Sequence, residues 1–168
     1  MMKTGFLIFL LAISLVSQSQ SISVSGNWLP TITAISTTGS DYSPSSITSA
    51  ANQTLITASG LGSLLVAKNY RITVSRTATD WHNNLILTAR RTGSGTPSLL
   101  SSVSASGGTT AQTITNISSA FFTINVSFLS LGGISLSNIP IEYGLSGISV
   151  ILPVKTYSTT ITYTIVEL

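Results

Sequence analysis

Apolar and polar residues alternate at period two over a series of short stretches of this chain. That spacing puts one face of a β-strand in a core and the other in water. The stretch 70–91 shows it most fully. Tyr70, Ile72 and Val74 fall on one side of an extended segment, with Arg71, Thr73 and Ser75 on the other. Residues 85–91 repeat the pattern, Leu85, Leu87 and Ala89 lying opposite Ile86, Thr88 and Arg90. The largely polar residues 77–84 between them hold Asp80, Trp81 and His82. The spacing predicts two antiparallel strands joined as a hairpin by a polar loop.

The rest of the chain reads in the same way. Residues 22–25 and 31–36 are short strands around a turn that carries Gly26 and Pro30. Residues 37–52 are a loop, 53–58 a strand, and 64–66 a shorter one after the turn at 59–62. A flexible link at 92–97 precedes a weak strand at 99–103 and another at 112–115. In 121–129, Phe122, Ile124, Val126 and Phe128 share a face. The last third holds a strand over 143–152, stopped by Pro153, and one over 157–165 with Ser and Thr on its outer side. About eight to ten short strands at this spacing predict an all-β fold, an antiparallel sandwich or barrel.

The beginning differs. A short basic start with Lys3 precedes an apolar run over 6–16, which is too short to span a bilayer. Ser17 and Ser19 then supply small residues two apart. These features predict a signal peptide over residues 1–19, cleaved after Ser19, and one β-domain over residues 20–168. An uncleaved membrane anchor is the alternative. No later stretch is apolar enough to be a transmembrane segment. The expected location is secreted, extracellular or at the cell surface.

Composition narrows the picture. Only 7% of residues are charged, against a usual quarter or so, and Ser and Thr fill the polar positions. Few charges leave little repulsion against association, which suits a chain that assembles or sits on a surface. With no cysteine, disulfides, thiolate metal sites and cysteine catalysis are excluded. Lys68, Arg71, Arg76, Arg90 and Arg91 fall close together in sequence. They form either a local basic face for anionic glycans, lipid head groups or nucleic acid, or solvated charges that discourage edge-to-edge pairing. No aromatic interleaving supports nucleic-acid stacking, so no nucleic acid is expected as a partner.

Candidate chemistry is sparse. The acids Asp41, Asp80, Glu142 and Glu167 are scattered, and Asp80 with His82 is the one couple that could serve a Ser or Thr nucleophile. The other reading has Asp80 capping a turn and His82 exposed in a loop. No Gly-x-Ser-x-Gly elbow is present, so no catalytic residue is assigned and no enzyme is expected. A single His without Cys cannot build a transition-metal site. Asp41 with loop carbonyls lacks the spaced Asp and Asn of a calcium loop. No metal and no cofactor are expected. Trp28 and Trp81 could stack on sugar rings. Trp81 stands beside Asp80, His82, Asn83 and Asn84, the composition of a carbohydrate-binding tip. Arg76, Trp81, His82 and Asn83 are therefore the candidate ligand-binding residues. The competing reading folds Trp81 over the core edge with its N–H bonded to a carbonyl.

Two stretches carry a resemblance. Residues 69–76 with Asp80-Trp81-His82 and 85–91, and residues 153–164, resemble uncharacterised bacterial secreted β-sandwich surface proteins. The ending, a tyrosine followed by alternating Thr and apolar residues, is similar to the closing strand of WxL-type surface domains and of spore-coat-U-like fimbrial subunits. It departs from the latter in lacking cysteines, and from the former in having Tyr163 where Trp would stand. The resemblance implies a single antiparallel immunoglobulin-like sandwich, displayed on cells or built into fibres. The expectation is a structural or adhesive surface protein that associates with itself or other surface proteins by strand addition. Ile22 and Val24 are the candidate assembly residues. The alternative is a glycan-binding module that uses the loop around Trp81.

Overall fold

The computed structural model describes residues 19–32, 41–42, 45–62, 66–127 and 133–168. The leader expected over 1–19 lies outside them except for Ser19, as do the expected strand positions 33–36, Leu64, Leu65, Phe128 and Leu129. Among the described residues all regular structure is strand. The strands are β1 (Ser21–Ser25), β2 (Ser46–Thr48), β3 (Thr54–Ser59), β4 (Lys68–Arg76), β5 (Ile86–Arg91) and β6 (Thr96–Pro97). They continue with β7 (Val103–Ser106), β8 (Gln112–Thr113), β9 (Ser119–Val126), β10 (Ser135–Ser146) and β11 (Ile161–Glu167). One sheet orders β1-β3-β10-β5-β8, with β2 and β6 also against β10; the other orders β11-β4-β9-β7. Every pairing is antiparallel.

The alternating faces point where the pattern put them, but the hairpin does not form. Tyr70, Ile72 and Val74 are buried, as are Leu85, Leu87 and Ala89. Yet β4 pairs with β9 and β11, while β5 pairs with β10 and β8 in the other sheet. Residues 77–85 are therefore an arch between sheets. Alternation gives the same signal for a hairpin arm and an arch arm, because both bury one face. What separates them is the loop, which has to cross the roughly 10 Å between sheet faces. From β3 onward only the β5–β6 connection stays within one sheet.

The first sheet is built on β10, most of which the alternation did not reveal. The expected strand over 143–152 exists only to Ser146; residues 147–152 form loop and turn. The strand instead starts at Ser135. Its buried positions change phase, from Leu136 to Ile139, Ile141, Tyr143 and Leu145. The register against β3 shifts between Leu136 and Ile139, and Asn138 has φ 56°, a left-handed value that Asn tolerates better than most residues. Pro140 sits inside the strand without loss. Its carbonyl accepts from the Thr92 amide at 3.0 Å, on the side where β6 gives way to β5. The ladder is interrupted there, so the missing N–H deprives no partner. A second bulge explains why Phe121 and Phe122 are both buried: β9 shifts register where β4 passes from Ile72 to Thr73.

The two sheets share one core. Ile56, Ala58, Leu87, Ile139 and Ile141 come from the first, and Tyr70, Ile72, Val74, Phe122, Ile124 and Val126 from the second. Each large aliphatic side chain so buried stabilises the fold by about 1.5–3 kcal/mol before entropy is counted. One polar chain crosses this interior. The Tyr143 hydroxyl lies 2.8 Å from Thr54 Oγ1 and 2.9 Å from the Tyr163 hydroxyl, tying β3 and β10 to β11. Burial pushes both phenols up from their ordinary pKa, so they stay neutral and hydrogen-bonded.

Candidate functional site

The arch 77–85 leaves β4 at Arg76 and enters β5 past Leu85. Trp81 sits at its apex, half-buried, packed against the main core and against a smaller cluster of Leu85, Leu145 and Ile148. Its indole N–H donates to the Leu85 carbonyl at 2.8 Å. The Arg76 guanidinium lies 5.1 Å from the centre of its ring. Arg76 is itself fixed, donating from Nε to the Ile114 carbonyl and from Nη1 to the Thr77 carbonyl, both at 3.1 Å. Partial burial holds its pKa below the usual value. Of the two readings of Trp81, the geometry matches the ring folded over the core edge. One ring face carries a cation, and the polar edge is already bonded.

The other two candidate residues lie nearby with different partners. His82 accepts from the Asn84 amide at Nδ1, 3.2 Å away, and its ring stands edge-on to Tyr157 at 6.2 Å. Asn83 is exposed in the adjoining turn. Asp80, with φ 57°, turns instead to Lys155 Nζ at 3.9 Å. No hydrogen bond joins Asp80 to His82 among the described residues, so the couple considered from sequence is not assembled. Trp28, the other candidate stacking ring, already lies parallel to Tyr143 at 6.1 Å.

Beside the arch is a hydroxyl-lined cleft of about 340 Å³, formed by Thr77, Thr79, Asp80, Ser158, Thr159 and Thr160. Part of its polar lining is already engaged. Thr77 Oγ1 accepts from the Thr160 amide at 3.0 Å, and Thr159 Oγ1 donates to the Thr77 carbonyl at 2.9 Å. Thr79, Ser158 and Thr160 complete its lining with Asp80, whose carboxylate lies 3.9 Å from Lys155 Nζ. Sequence reasoning placed Asp80 but missed residues 158–160. In a chain this rich in Ser and Thr, no local signal marks three hydroxyls that long-range pairing brings to one place.

The basic window does not form a face. Lys68 Nζ pairs with Glu167 at 2.6 Å, and Arg90 grips Glu142 through Nε at 2.6 Å and Nη2 at 3.1 Å. Arg91 is buried over Phe122 and donates to the Gly107 and Gly93 carbonyls at 2.9 and 2.6 Å. Burial lowers its pKa. Arg71 is exposed on the outer face of β4 and has no ion pair among the described residues. Asp41 is also committed. Oδ1 accepts from the amides of Tyr42 and Val150 at 2.7 and 2.9 Å, and Oδ2 accepts from the Ser149 hydroxyl at 3.0 Å. No three His, Asp or Glu side chains converge among the described residues.

Ile22 and Val24 lie on β1, the edge strand of the first sheet, in register with β3 from Ser21 opposite Ser59 to Ser25 opposite Leu55. Ile22 packs against the core, whereas Val24 is 45% exposed. Gly60, at φ +69°, lies so close to the Ser19 carbonyl that a Cβ would clash with it.

No protein-family model, curated protein or solved structure matches this chain.

Proposed function

We propose that this chain is a secreted or cell-surface structural protein, an immunoglobulin-like β-sandwich that assembles with further copies or other surface proteins by strand addition. The observation that carries the reading is β1. It follows directly on the expected cleavage site and closes one sheet edge. It is held by a five-residue backbone register, while Ile22 is its one side chain packed against the core. A strand held chiefly through its backbone is exchanged at low cost, since another extended segment can make the same hydrogen bonds. Low charge removes the electrostatic barrier to close approach.

Deletion of residues 20–26 tests this. The expected result is a marked loss of stability that a synthetic peptide of residues 20–26 restores, together with higher oligomers of the intact protein at high concentration. A protein that stays monomeric at high concentration and is indifferent to the deletion would remove the reading.

A second reading, glycan binding, is favoured by the hydroxyl-lined cleft rather than by Trp81. Several hydroxyls and one carboxylate in a single cleft suit a neutral polyol, which pairs with both. On a glycan array, binding is expected to disappear in Asp80→Asn and Thr160→Ala. Absence of any glycan signal from the intact protein disposes of it.

A further inference from the structure

The second sheet ends on β11, and its hydrogen-bonding phase can be read from its two flanks. The Thr77 amide donates to the Thr160 carbonyl, and the Leu168 amide donates to the Asn69 carbonyl, each at 2.9 Å. Both are pairs directly opposite one another in the register that puts Ile161 across from Arg76 and Glu167 across from Tyr70. Even-numbered residues of β11 therefore direct their backbone groups toward β4. In an antiparallel ladder the alternate residues direct theirs the other way. The amides and carbonyls of Ile161, Tyr163, Ile165 and Glu167 thus line the outer edge, where no strand pairs with them among the described residues.

Edges are normally blunted by shortness, bulges, proline or lysine. Here β8 is two residues long and β7 four, but β11 runs seven residues in unbroken register with neither Pro nor Lys. Its one charge, Glu167, is at its end and already engaged by Lys68 and by Gln20 Nε2, which donates at 2.8 Å.

The geometry points to a second copy of this chain as the occupant, with β11 pairing antiparallel to β11 about a two-fold axis at Thr164. That register overlaps all seven residues and opposes outer-edge residues to outer-edge residues, Tyr163 to Ile165 and Ile161 to Glu167. Thr164 meets Thr164, and Thr162 meets Val166. All but the Ile161–Glu167 pair join β-branched or aromatic residues, the pairs that stabilise sheets most. No like charges oppose, because the two Glu167 side chains lie at opposite ends. The contact is isologous and closes as a dimer. It involves a different strand from β1, which lies beside β11 where Gln20 reaches Glu167, and T164K separates it from exchange at β1.

The chain has no cysteine, so single cysteines report the register. Thr164 would face its copy in a non-hydrogen-bonded pair with Cα atoms about 4.5 Å apart, inside the disulfide range. Under mild oxidation, T164C is expected to give a disulfide-linked dimer, and T162C is not. Thr164→Lys opposes two lysines on an exposed surface. It is expected to weaken the dimer about fivefold or more in light scattering while leaving the melting temperature of dilute, monomeric protein unchanged. A folded T164C protein that does not cross-link, a T162C protein that cross-links as well, or T164K dimerising like the parent each overturns the proposal. Oligomers that survive T164K but require residues 20–26 belong to β1 exchange and overturn it too.

Discussion

Thr54, Tyr143 and Tyr163 bring three hydroxyls together inside the fold, whereas Arg76, Trp81, His82 and Tyr157 bring rings and charge together at its rim. The interior group closes on itself across two sheets. At the rim, Arg76 and the Trp81 indole spend their hydrogen bonds on backbone carbonyls, fixing the arch that joins the sheets. The cleft lined by Thr79, Asp80, Ser158 and Thr160 adjoins the arch at the rim. An aromatic among polar residues thus does not by itself mark a site. What matters is whether the polar atoms nearby are already satisfied.

The contrast breaks most visibly at Trp81. If the ring is a strut, Trp81→Ala removes packing from both apolar clusters and frees the Leu85 carbonyl. The expected cost is about 3 kcal/mol, the low end for an aromatic truncation because the side chain is half-buried. Chemical denaturation with a tryptophan-independent probe such as circular dichroism measures it. A loss of less than about 0.5 kcal/mol, the range of ordinary surface substitutions, would instead mark Trp81 as a surface ring available to ligand.

The interior group comes next. Tyr143 holds the central hydroxyl, so Tyr143→Phe strands Thr54 and Tyr163 at once, both of them buried. An expected cost of about 2 kcal/mol follows from leaving buried polar groups unpaired. Tyr163→Phe is milder because Tyr143 keeps Thr54. Adding Thr54→Val and Tyr163→Phe to Tyr143→Phe should recover much of the loss, since no hydroxyl then remains unpaired. A triple variant less stable than Tyr143→Phe alone would show that the chain contributes more than satisfied hydroxyls.

Much of the strand content was legible because burial obeys period two wherever a strand is regular. Tyr70, Ile72, Val74, Leu87 and Ala89 needed nothing more. Sequence reasoning failed where backbone irregularity reset the phase, as at Asn138 in β10, so the first half of that strand was missed. Pairing was not legible at all. Alternation tells which way a side chain points but not which strand lies alongside, so the arch looked like a hairpin. The candidate site divided along the same line. Arg76, Trp81 and His82 gather because they are near in sequence, while Ser158, Thr159 and Thr160 reach Thr77 only through the β11–β4 register.

The smallest expected effect lies at Asp41, where the polar atoms are satisfied at the surface rather than inside. The Tyr42 amide, then the Val150 amide and the Ser149 hydroxyl, hold its carboxyl below the usual carboxylate range. A depressed folded pKa means that the unfolded chain takes up the proton first. The stability Asp41 contributes is therefore fully present above the unfolded value of about 3.9, and it is lost as pH falls through the folded value. Because the group is exposed, the readout is local. Protection of the Val150 amide from hydrogen exchange should be retained at pH 6 and diminish below about pH 4. In Asp41→Asn it should be low at both, because the anionic acceptor is gone. If Val150 is equally protected in parent and variant across that range, the loop at 147–152 is held by its own turn, and the carboxylate merely lies against it.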